Sequence, residues 1–384
     1  MLAGTNVALG VTGSVAAVKV VELAHELRRR GASVRAVMTD SARSIVHPYA
    51  VEFATEHRVV TEIGGSVEHV ELCGRDGWAD VFLIAPATAN TVGKMAAAID
   101  DTPVTTTATT ALGADVPVVV APAMHEPMYD HPGVLDAIER VESWGVSFVD
   151  PRVEEGKAKI ATEEAIVLAT ARASGDRPLA GKTIVVTSGA TAEPIDPVRI
   201  ITNRASGKTG RAVARAAYAL GAEVVLVHDG GPVPYASVRS VETGAEMLDA
   251  VLDAVEGADA LVSAAAISDY TVDASDEKIR SGQDLTLDLE TTPKLIDTVR
   301  ERHPALPIVG FKAETAADED AAVEEARDLL ARVDLSFVVA NDASVMGEDD
   351  TRAFVVRAED VRTVVGTKSQ LGQVVADELV GELD

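Results

Sequence analysis

The sequence predicts an α/β protein made of two doubly wound domains, and three observations point to this fold class. The first is length, because 384 residues divided by roughly 150 per domain favour two domains. The second is a strand–turn–helix–strand pattern that begins near residue 5 and recurs near residue 182. The third is the alternation of short apolar runs with helical periods, which is typical of parallel sheets covered on both faces.

The first half begins with one βαβ unit. Its first strand is the apolar run NVALGV, a Gly/Ser turn follows, and an amphipathic helix then ends at Gly31. The apolar run ASVRAVMT completes the unit. Further apolar runs predict strands at 81–85, 116–121 and 146–149.

The second half repeats this organisation. The strand KTIVVTS leads through a long polar loop into the helix GKTGRAVARAAYALG and the apolar run AEVVLVH. Apolar runs at 260–265, 307–311 and 337–340 predict later strands. Loops as long as the one at 188–206 are usually functional.

A polar break separates the two patterns. An Ala-rich helix gives way to Ser174, Gly175 and Pro178 before the next strand begins. We therefore expect domains at 1–174 and 175–384, each a Rossmann-like three-layer fold.

Charge and composition exclude several function classes. The chain has 61 acidic and 34 basic residues, a net charge of −27, and such a surface repels nucleic acids and anionic lipid headgroups. We find neither a signal-peptide pattern nor 18 consecutive apolar residues, so the sequence predicts a soluble, cytoplasmic protein. Scarce lysine and abundant acid indicate either a salt-loving source or an ordinary acidic cytosolic protein. Cys73 is the sole cysteine, which excludes a disulfide framework.

The candidate sites of the first half follow its strands, because open parallel sheets bind ligands at the carboxyl ends of their strands. After the first strand, Gly10 to Ser14 lead into a helix whose N-terminus favours a phosphate, although a tight capped turn is the alternative. PATANT at 86–91 and PAMHEPMY at 122–129 follow two later strands and indicate two walls of one pocket. His69 lies in a short alternating segment, where a structural histidine is the commoner case.

The segments GVTGSVAAVK, EHVEL with WADVFLIAPATANTVGKMA, and VVVAPAMHEPMY resemble the flavin-dependent cysteine decarboxylases. Members of that family bind FMN and remove CO₂ from a C-terminal or acylated cysteine. The resemblance covers nearly all of residues 1–150 and implies that His69 is catalytic. The residues it implies for FMN binding are Gly13, Ser14, Thr39, Thr88 and Asn90. It further implies that the thiol is oxidised at FMN before CO₂ leaves, so that the released electrons flow into a thiocarbonyl sulfur.

Two positions depart from the bacterial decarboxylase pattern. His125 stands where those enzymes have an asparagine that helps to hold the substrate carboxylate, and an imidazole can also donate a hydrogen bond there. The stretch 153–160 lacks the cysteine of the substrate-covering loop. We hypothesise that Lys157 or Lys159 covers the substrate and supplies the proton, with a solvated charged loop as the alternative. Cys73 as a displaced replacement is a further alternative.

The string Gly207-Lys208-Thr209 is not a Walker A motif, because Thr202 stands where that motif needs glycine. The run TSGATAEPIDPVRIITNRASGKTG instead resembles the phosphopantothenate–cysteine ligases. SAAAISDY, EKIR, VGFKAET, VAND and GTKS follow in the matching order, so that the resemblance spans about 178–384. It implies attack of the phosphopantothenate carboxylate on a nucleotide α-phosphate with release of pyrophosphate. Cysteine then displaces the nucleotide to form the amide.

The ligase resemblance also implies residue roles. Asn203 binds or polarises the acyl phosphate, and Lys278 supports amide formation. The implied nucleotide contacts are Ser263, Ala264, Ala265, Asp269, Lys278, Pro293, Lys294, Leu295, Ile296 and Phe311. Bacterial ligases hold the triphosphate with two lysines on a helix where this chain has Arg327 and Arg332, so the choice between CTP and ATP stays open. Mg²⁺ is expected with the triphosphate, and its protein ligands are not assigned.

Together the two resemblances imply a fused, bifunctional enzyme of coenzyme A biosynthesis, of archaeal type. It ligates 4′-phosphopantothenate to cysteine, with CTP favoured, and decarboxylates 4′-phosphopantothenoylcysteine to 4′-phosphopantetheine. Family likeness implies a homo-oligomer of decarboxylase trimers and ligase dimers. The alternatives are a ligase with an inactive flavin-binding domain and a nicotinamide oxidoreductase, whose G-x-G-x-x-G fingerprint neither half carries.

Overall fold

The computed structural model describes residues 1–154, 157–280, 282, 284–314, 319–342 and 350–383. The chain divides into two compact units, Met1–Asp176 and Arg177–Asp384, and each contains a largely parallel sheet flanked by helices. The predicted α/β fold class is confirmed. Within the described residues, we find no helix long and apolar enough to cross a membrane.

The strands of the first unit form two sheets. Their bounds are β1 (Asn6–Val11), β2 (Ser33–Met38), β3 (Val81–Ala87), β4 (Val118–Pro122), β5 (Met124–His125), β6 (Ser147–Phe148), β7 (Arg152–Glu154) and β8 (Lys157–Lys159). The five-stranded sheet has the order β2-β1-β3-β4-β6, and its pairs are parallel. A small antiparallel sheet has the order β5-β8-β7.

Hydroxyl side chains begin many helices of the first unit. Ser14 caps a 3₁₀ helix, and Thr39, Thr88, Thr102 and Thr162 cap α-helices through their side-chain oxygens. The helices are 3₁₀ Val15–Lys19, α1 (Val20–Arg29), α2 (Asp40–Arg43), α3 (Pro48–Thr55), α4 (Glu68–Cys73), α5 (Ala89–Ala96), α6 (Pro103–Gly113), α7 (Glu126–Tyr129), α8 (Pro132–Glu142) and α9 (Glu163–Ser174).

Strand β1 shows why its sequence is a continuous apolar run. Val7, Leu9 and Val11 belong to one buried cluster, whereas Ala8 belongs to a second cluster on the other face of the sheet. Alternate side chains of a strand point to opposite faces, so a strand covered on both sides must be apolar throughout.

The second unit contains an eight-stranded sheet and two short hairpins. Its strands are β9 (Thr183–Ser188), β10 (Ala192–Pro194), β11 (Ile200–Thr202), β12 (Glu223–His228), β13 (Ser237–Ser240), β14 (Ala260–Ser263), β15 (Tyr270–Val272), β16 (Leu289–Thr291), β17 (Ile308–Glu314), β18 (Phe337–Asp342), β19 (Asp350–Val356) and β20 (Val361–Thr367). The large sheet has the order β13-β12-β9-β14-β17-β18-β19-β20, while β10 pairs with β11 and β15 pairs with β16. The helices are α10 (Lys208–Ala219), α11 (Gly244–Ala254), α12 (Leu295–Arg302), α13 (Glu319–Val333) and α14 (Lys368–Leu383).

The expectation of a purely parallel second sheet is wrong at one edge. Strand β19 pairs antiparallel with both β18 and β20. Burial alternates at the start of DTRAFVV, where Thr351 and Ala353 are buried and Asp350 and Arg352 are exposed, which is the pattern of an antiparallel edge region.

Each large sheet has a point where the strand order reverses. Strand β1 lies between β2 and β3 in the first unit, and β9 lies between β12 and β14 in the second. The first order is that of flavodoxin-like sheets, and ligands of open α/β sheets bind in the crevice at such a reversal.

Helix α10 is held close to its neighbours by two glycines. A Cβ on Gly210 would lie 2.7 Å from Ser188 Cβ and 2.8 Å from the Thr187 carbonyl oxygen, at the end of β9. A Cβ on Gly372 of α14 would lie 2.5 Å from the Ala212 carbonyl carbon. Helix α10 is therefore packed between β9 and α14 at distances that exclude larger residues.

Candidate functional sites

A cavity of about 600 Å³ lies at the carboxyl edge of the first sheet. Apolar side chains form much of its wall: Val15, Ala16, Val18, Ala123, Met124, Met128 and Ile160. Polar and cationic residues complete it: Ser14, Thr88, His125, Lys19, Arg152 and Lys159. A wall of this kind suits a flat heteroaromatic ring that carries an anionic tail.

Hydrogen bonds join the loops around this cavity at the β1/β3 reversal. The Thr12 hydroxyl donates to the Pro86 carbonyl at 2.8 Å and accepts from the Thr88 amide at 3.2 Å. The Ser14 hydroxyl donates to the Ala123 carbonyl at 3.0 Å. Three strand ends thus form one preorganised rim.

The structure places the predicted flavin-binding residues unevenly around this rim. Gly13, Ser14 and Thr88 line the cavity. Thr39 caps α2, and this helix begins close to the cavity. The closeness is shown by Ser41 in the first turn of α2, since a Cβ on the lining residue Gly13 would lie only 2.4 Å from its hydroxyl oxygen. Asn90 is exposed in the first turn of α5 and does not contribute to the lining.

His69 lies in the first turn of α4, outside the residues that line the cavity. Its Nδ1 is buried and has no hydrogen-bond partner among the described residues. A buried ring nitrogen without a partner is costly unless a ligand or a neighbouring molecule satisfies it. Within one chain, His69 is therefore separate from the cavity, and its imidazole keeps one ring nitrogen without a hydrogen-bond partner among the described residues.

The predicted covering loop is instead part of the small antiparallel sheet. Strand β8 pairs with β5, so that His125 lies opposite Lys157, and it also pairs with β7. Lys159 lines the cavity, whereas the side chain of Lys157 lies outside what the structure describes. The small sheet thus joins the two departures from the bacterial pattern, His125 and the lysine stretch.

Cys73 closes α4 inside the second core cluster of the first unit. Burial raises the pKa of its thiol to about 12, so the group stays protonated at neutral pH. The structure therefore contradicts the hypothesis that Cys73 replaces the loop cysteine.

We expect folded protein at pH 8 to resist alkylation of Cys73 by iodoacetamide, because only the thiolate reacts and this thiol is buried. Mass spectrometry of native and guanidine-unfolded samples checks this, and the unfolded sample should be fully modified. Rapid native alkylation with loss of CO₂-releasing activity would contradict the burial argument.

A second cavity, of about 140 Å³, lies at the β9/β14 reversal of the second unit. The N-terminus of α10 faces it through residues 207–210. Lys208, Lys312 and Lys368 all line it, which places three of the chain's ten lysines at one small site. A helix N-terminus with three cations is suited to a polyphosphate, in a chain whose net charge is strongly negative.

The second cavity is also held by loop-to-loop hydrogen bonds. The Thr187 hydroxyl oxygen accepts from the amides of Ala264 and Ala265, both at 3.1 Å. The Ser188 hydroxyl donates to the Gly207 carbonyl at 2.8 Å. The end of β9 thereby fixes the loop after β14 and the start of α10 on either side of the cavity.

Asn341, at the end of β18, lines this cavity as well. Its Oδ1 is buried and has no hydrogen-bond partner within the part of the chain that the structure describes. A buried amide oxygen of this kind is suited to an N–H donor of a ligand.

Several predicted ligase residues do meet at the second cavity. Ala264, Ala265 and Phe311 line it, and Ser263 ends the strand immediately before them. The Asn203 side-chain amide donates to the carbonyl of Ala266, a lining residue, at 3.0 Å. Lining residues that sequence reasoning did not assign include Gly207, Lys208, Gly210, Lys312, Asn341 and Lys368. Their signal was the scarcity of lysine together with four quoted motifs, SGKTG, GFKA, VAND and GTKS.

Other predicted nucleotide contacts lie away from the cavity lining. Asp269 pairs with Lys294. Leu295 is 4% exposed and offers a ligand only its backbone groups, whereas Ile296 is partly buried against the same core. Pro293 precedes them without joining the lining.

The cationic residues predicted for the triphosphate and the amide step are also separate from the lining. Arg332 pairs with Asp297, and Arg327 is exposed on α13. Lys278 is exposed in the segment between β15 and β16. Thr315, in the VGFKAET motif, lies outside the described residues. Within the described ranges, we find no group of three His, Cys, Asp or Glu placed to bind a metal.

Comparison with known proteins gives the same division of the chain. The Flavoprotein family matches residues 1–174, and the DNA/pantothenate metabolism flavoprotein C-terminal domain family matches residues 179–383. A Thermococcus kodakarensis protein named coenzyme A biosynthesis bifunctional protein CoaBC is 47% identical over 98% of this chain and 95% of its own length.

Two further similarities cover different shares of the chain. The Methanocaldococcus jannaschii protein of the same name is 32% identical over 99% of this chain and 94% of its own length. A crystal structure of the DNA/pantothenate metabolism flavoprotein from Streptococcus pneumoniae is 28% identical, covers 52% of this chain and 99% of that one, and has a TM-score of 0.47.

Proposed function

Since the chain belongs to the CoaBC family of bifunctional coenzyme A biosynthesis proteins, we propose that it joins 4′-phosphopantothenate to cysteine and then decarboxylates the product. In this proposal the second unit is the phosphopantothenate–cysteine ligase and the first unit is the phosphopantothenoylcysteine decarboxylase. One observation supports it above the others: each unit has a cavity at the reversal point of its own sheet, where ligands of such sheets bind.

We assign the cavity of the first unit to FMN and the cysteinyl substrate. The apolar wall is suited to the isoalloxazine ring, while the N-terminus of α5, which Thr88 caps at the cavity wall, offers amide donors to its phosphate. The chemistry that FMN supplies when bound is reversible two-electron oxidation of the thiol-bearing carbon of the substrate. His69 moves the proton, and His125 donates to the substrate carboxylate.

The cations at the edge of the first cavity complete this site. Lys159 lies in the lining beside Arg152, on the small sheet that carries His125. We assign Lys159, with Lys157 next to it on β8, to covering the substrate and returning a proton after CO₂ has left.

We assign the cavity of the second unit to the nucleoside triphosphate. Lys208, Lys312 and Lys368 balance the phosphate charge together with the amides at the start of α10, and Mg²⁺ accompanies the triphosphate. Asn203, beside the cavity, polarises the acyl phosphate, and Lys278 assists the attack of the cysteine amine. CTP is the favoured nucleotide, with Asn341 placed to accept from a donor of the nucleotide.

We further propose a cytoplasmic homo-oligomer built from decarboxylase trimers and ligase dimers. Large apolar side chains on the first unit support self-association, since Val15, Tyr49 and Phe53 are 80%, 73% and 72% exposed.

One assay tests the two activities separately. Purified protein is examined for flavin absorbance and then given phosphopantothenate, cysteine, Mg²⁺ and either CTP or ATP, in high and low potassium chloride. We expect bound flavin, pyrophosphate release that is faster with CTP, and CO₂ release. Pyrophosphate release without CO₂ release would favour the alternative of a ligase with an inactive flavin-binding unit. The absence of both products would overturn the proposal.

Replacing Lys159 by glutamine should lower CO₂ release by about 10²-fold, because the variant loses a proton donor in the cavity wall. Lys94→Gln is the matched control, since Lys94 pairs with Asp101 outside the lining. Pre-formed 4′-phosphopantothenoylcysteine is the substrate, so that the ligase step does not enter. Equal CO₂ release rates in the two variants would remove Lys159 from the proposed mechanism.

A further inference from the structure

The segment that carries Lys278 is held by a carboxylate elsewhere in the chain. Lys278 lies between β15 and β16, within what we call the Lys278 segment (residues 273–280). The amide of Ile279 donates to Asp196 Oδ2 at 3.1 Å. Arg199 Nη1 donates to the carbonyl oxygen of Ile279 at 3.2 Å. Both polar backbone groups of the residue after Lys278 are thus held by the Asp196–Arg199 pair.

Asp196 is itself firmly fixed. Its side chain has no exposed surface, and its Oδ1 accepts from the amides of Val198 and Arg199 at 2.8 and 2.9 Å. Its Oδ2 also accepts from the Arg199 guanidinium. A second contact supports the same segment, since the Ser275 amide donates to the Ile195 carbonyl at 3.0 Å.

Hydrogen bonds to Asp196 favour the ionised form of its carboxylate. Burial alone would raise the pKa of Asp196, but hydrogen bonds from the amides of Val198, Ile279 and Arg199 and from the Arg199 guanidinium outweigh it, so the pKa lies below its usual value. Because the pKa of Asp196 is lower in the folded state than in the unfolded chain, the ionised carboxylate stabilises the fold at pH values above the usual carboxyl pKa. This contribution is lost as the pH falls through the folded-state pKa. The Ile279 contact is therefore present throughout the neutral range.

The hairpin that contains Asp196 also leads to the other proposed catalytic residue. Asp196 and Arg199 form the turn between β10 and β11, and Asn203 directly follows β11. Asn203 donates to the carbonyl of Ala266, which lines the second cavity. One rigid hairpin thus connects the Lys278 segment to the edge of the nucleotide cavity.

We propose that Asp196 is a positioning residue of the ligase, which fixes the Lys278 segment relative to Asn203 through the Ile279 amide. The inference rests on the proposed ligase role of Lys278. Asp196 contacts neither substrate in this scheme, and it acts by restricting where the Lys278 backbone lies. A small misplacement of a catalytic group can lower the rate strongly without altering substrate binding.

The test is an Asp196→Asn variant, which keeps the size of the side chain and removes its charge and one acceptor. Asp259→Asn is the matched control, because Asp259 also accepts from a backbone amide, that of Thr183, and pairs with Lys182 away from the segment. Hydrogen–deuterium exchange of Ile279 and Ser275 is measured together with ligase kcat and the KM for CTP. We expect exchange at Ile279 about tenfold faster, kcat about tenfold lower and KM within about twofold of wild type in Asp196→Asn alone.

Three results would overturn the proposal. They are unchanged exchange at Ile279, faster exchange with normal kcat, and a kcat that is normal per folded molecule while only the melting temperature falls. If Asp196→Asn does not fold, Arg199→Gln removes both the ion pair that holds Asp196 and the contact to the Ile279 carbonyl. Unchanged amide exchange at Ile279 together with a normal kcat in this variant would overturn the proposal as well. The variant Lys278→Gln separates a failure of the proposed ligase role of Lys278 from a failure of this inference. A normal kcat in Lys278→Gln removes the role of Lys278 itself. A low kcat in Lys278→Gln together with a normal kcat in Asp196→Asn refutes only the positioning role of Asp196.

Discussion

Replacing His69 by asparagine is expected to lower CO₂ release from 4′-phosphopantothenoylcysteine by about 10²–10⁴-fold. The imidazole is the side chain that best exchanges a proton near neutral pH, and an asparagine amide cannot do so. The buried Nδ1 has no partner among the described residues, so the chain does not already use this nitrogen for its own stability. The folded state should therefore tolerate the change.

The measurement is CO₂ release from pre-formed substrate, with pyrophosphate release by the ligase as an internal reference. His25→Asn is the matched control, because His25 lies on α1 of the same unit and contacts Phe53 edge to face. Wild-type CO₂ release by His69→Asn, with normal flavin content, would exclude His69 from the reaction.

The second large effect is expected from Gly210→Ala. The added Cβ would lie 2.7 Å from Ser188 Cβ and 2.8 Å from the Thr187 carbonyl, and neither can move without displacing β9. Overpacking of this kind costs about 1–3 kcal/mol, and a shift of α10 moves the amides that face the second cavity. We expect pyrophosphate release to fall by about 10²-fold or more.

Gly381→Ala provides the control for this prediction. Gly381 lies on α14 in the same unit, and a Cβ there would meet nothing within 4 Å. This change should leave the ligase rate unaltered and raise helix stability slightly, by about 1 kcal/mol. A Gly210→Ala variant with normal pyrophosphate release and an unchanged melting temperature would contradict the close packing of α10 against β9.

The sequence predicted the sheets well because local patterns carried the information. Apolar runs that are buried on both faces, such as β1, can be recognised without knowing their neighbours. The hairpin of β7 and β8 was missed, since its short strands are defined by their pairing with each other and by the pairing of β8 with Met124 and His125, and not by their own periodicity.

The candidate sites were less predictable than the strands. Lys312 and Lys368 reach the second cavity from distant strand ends, so only the order of strands in the sheet could bring them to Lys208. Leu295 was expected at the nucleotide, but its side chain is buried in the core. The motif could not reveal this, because a motif does not distinguish a backbone contact from a side-chain contact. The hydrogen bond from the Ile279 amide to Asp196 joins positions 83 residues apart, and no local sequence pattern indicates it.

The packing of α14 against α10 has a consequence for the order of events during synthesis. Ala212 and Gly372 are in contact although 160 positions separate them, so the ribosome must complete nearly the whole second unit before α10 acquires this support. The strands of the first unit and its last helix, α9, all precede residue 177, so they are synthesised before any part of the second unit. A nascent chain should therefore complete the proposed flavin cavity while α10, at the proposed nucleotide cavity, is still unfinished, and the two capacities should arise at different times in translation.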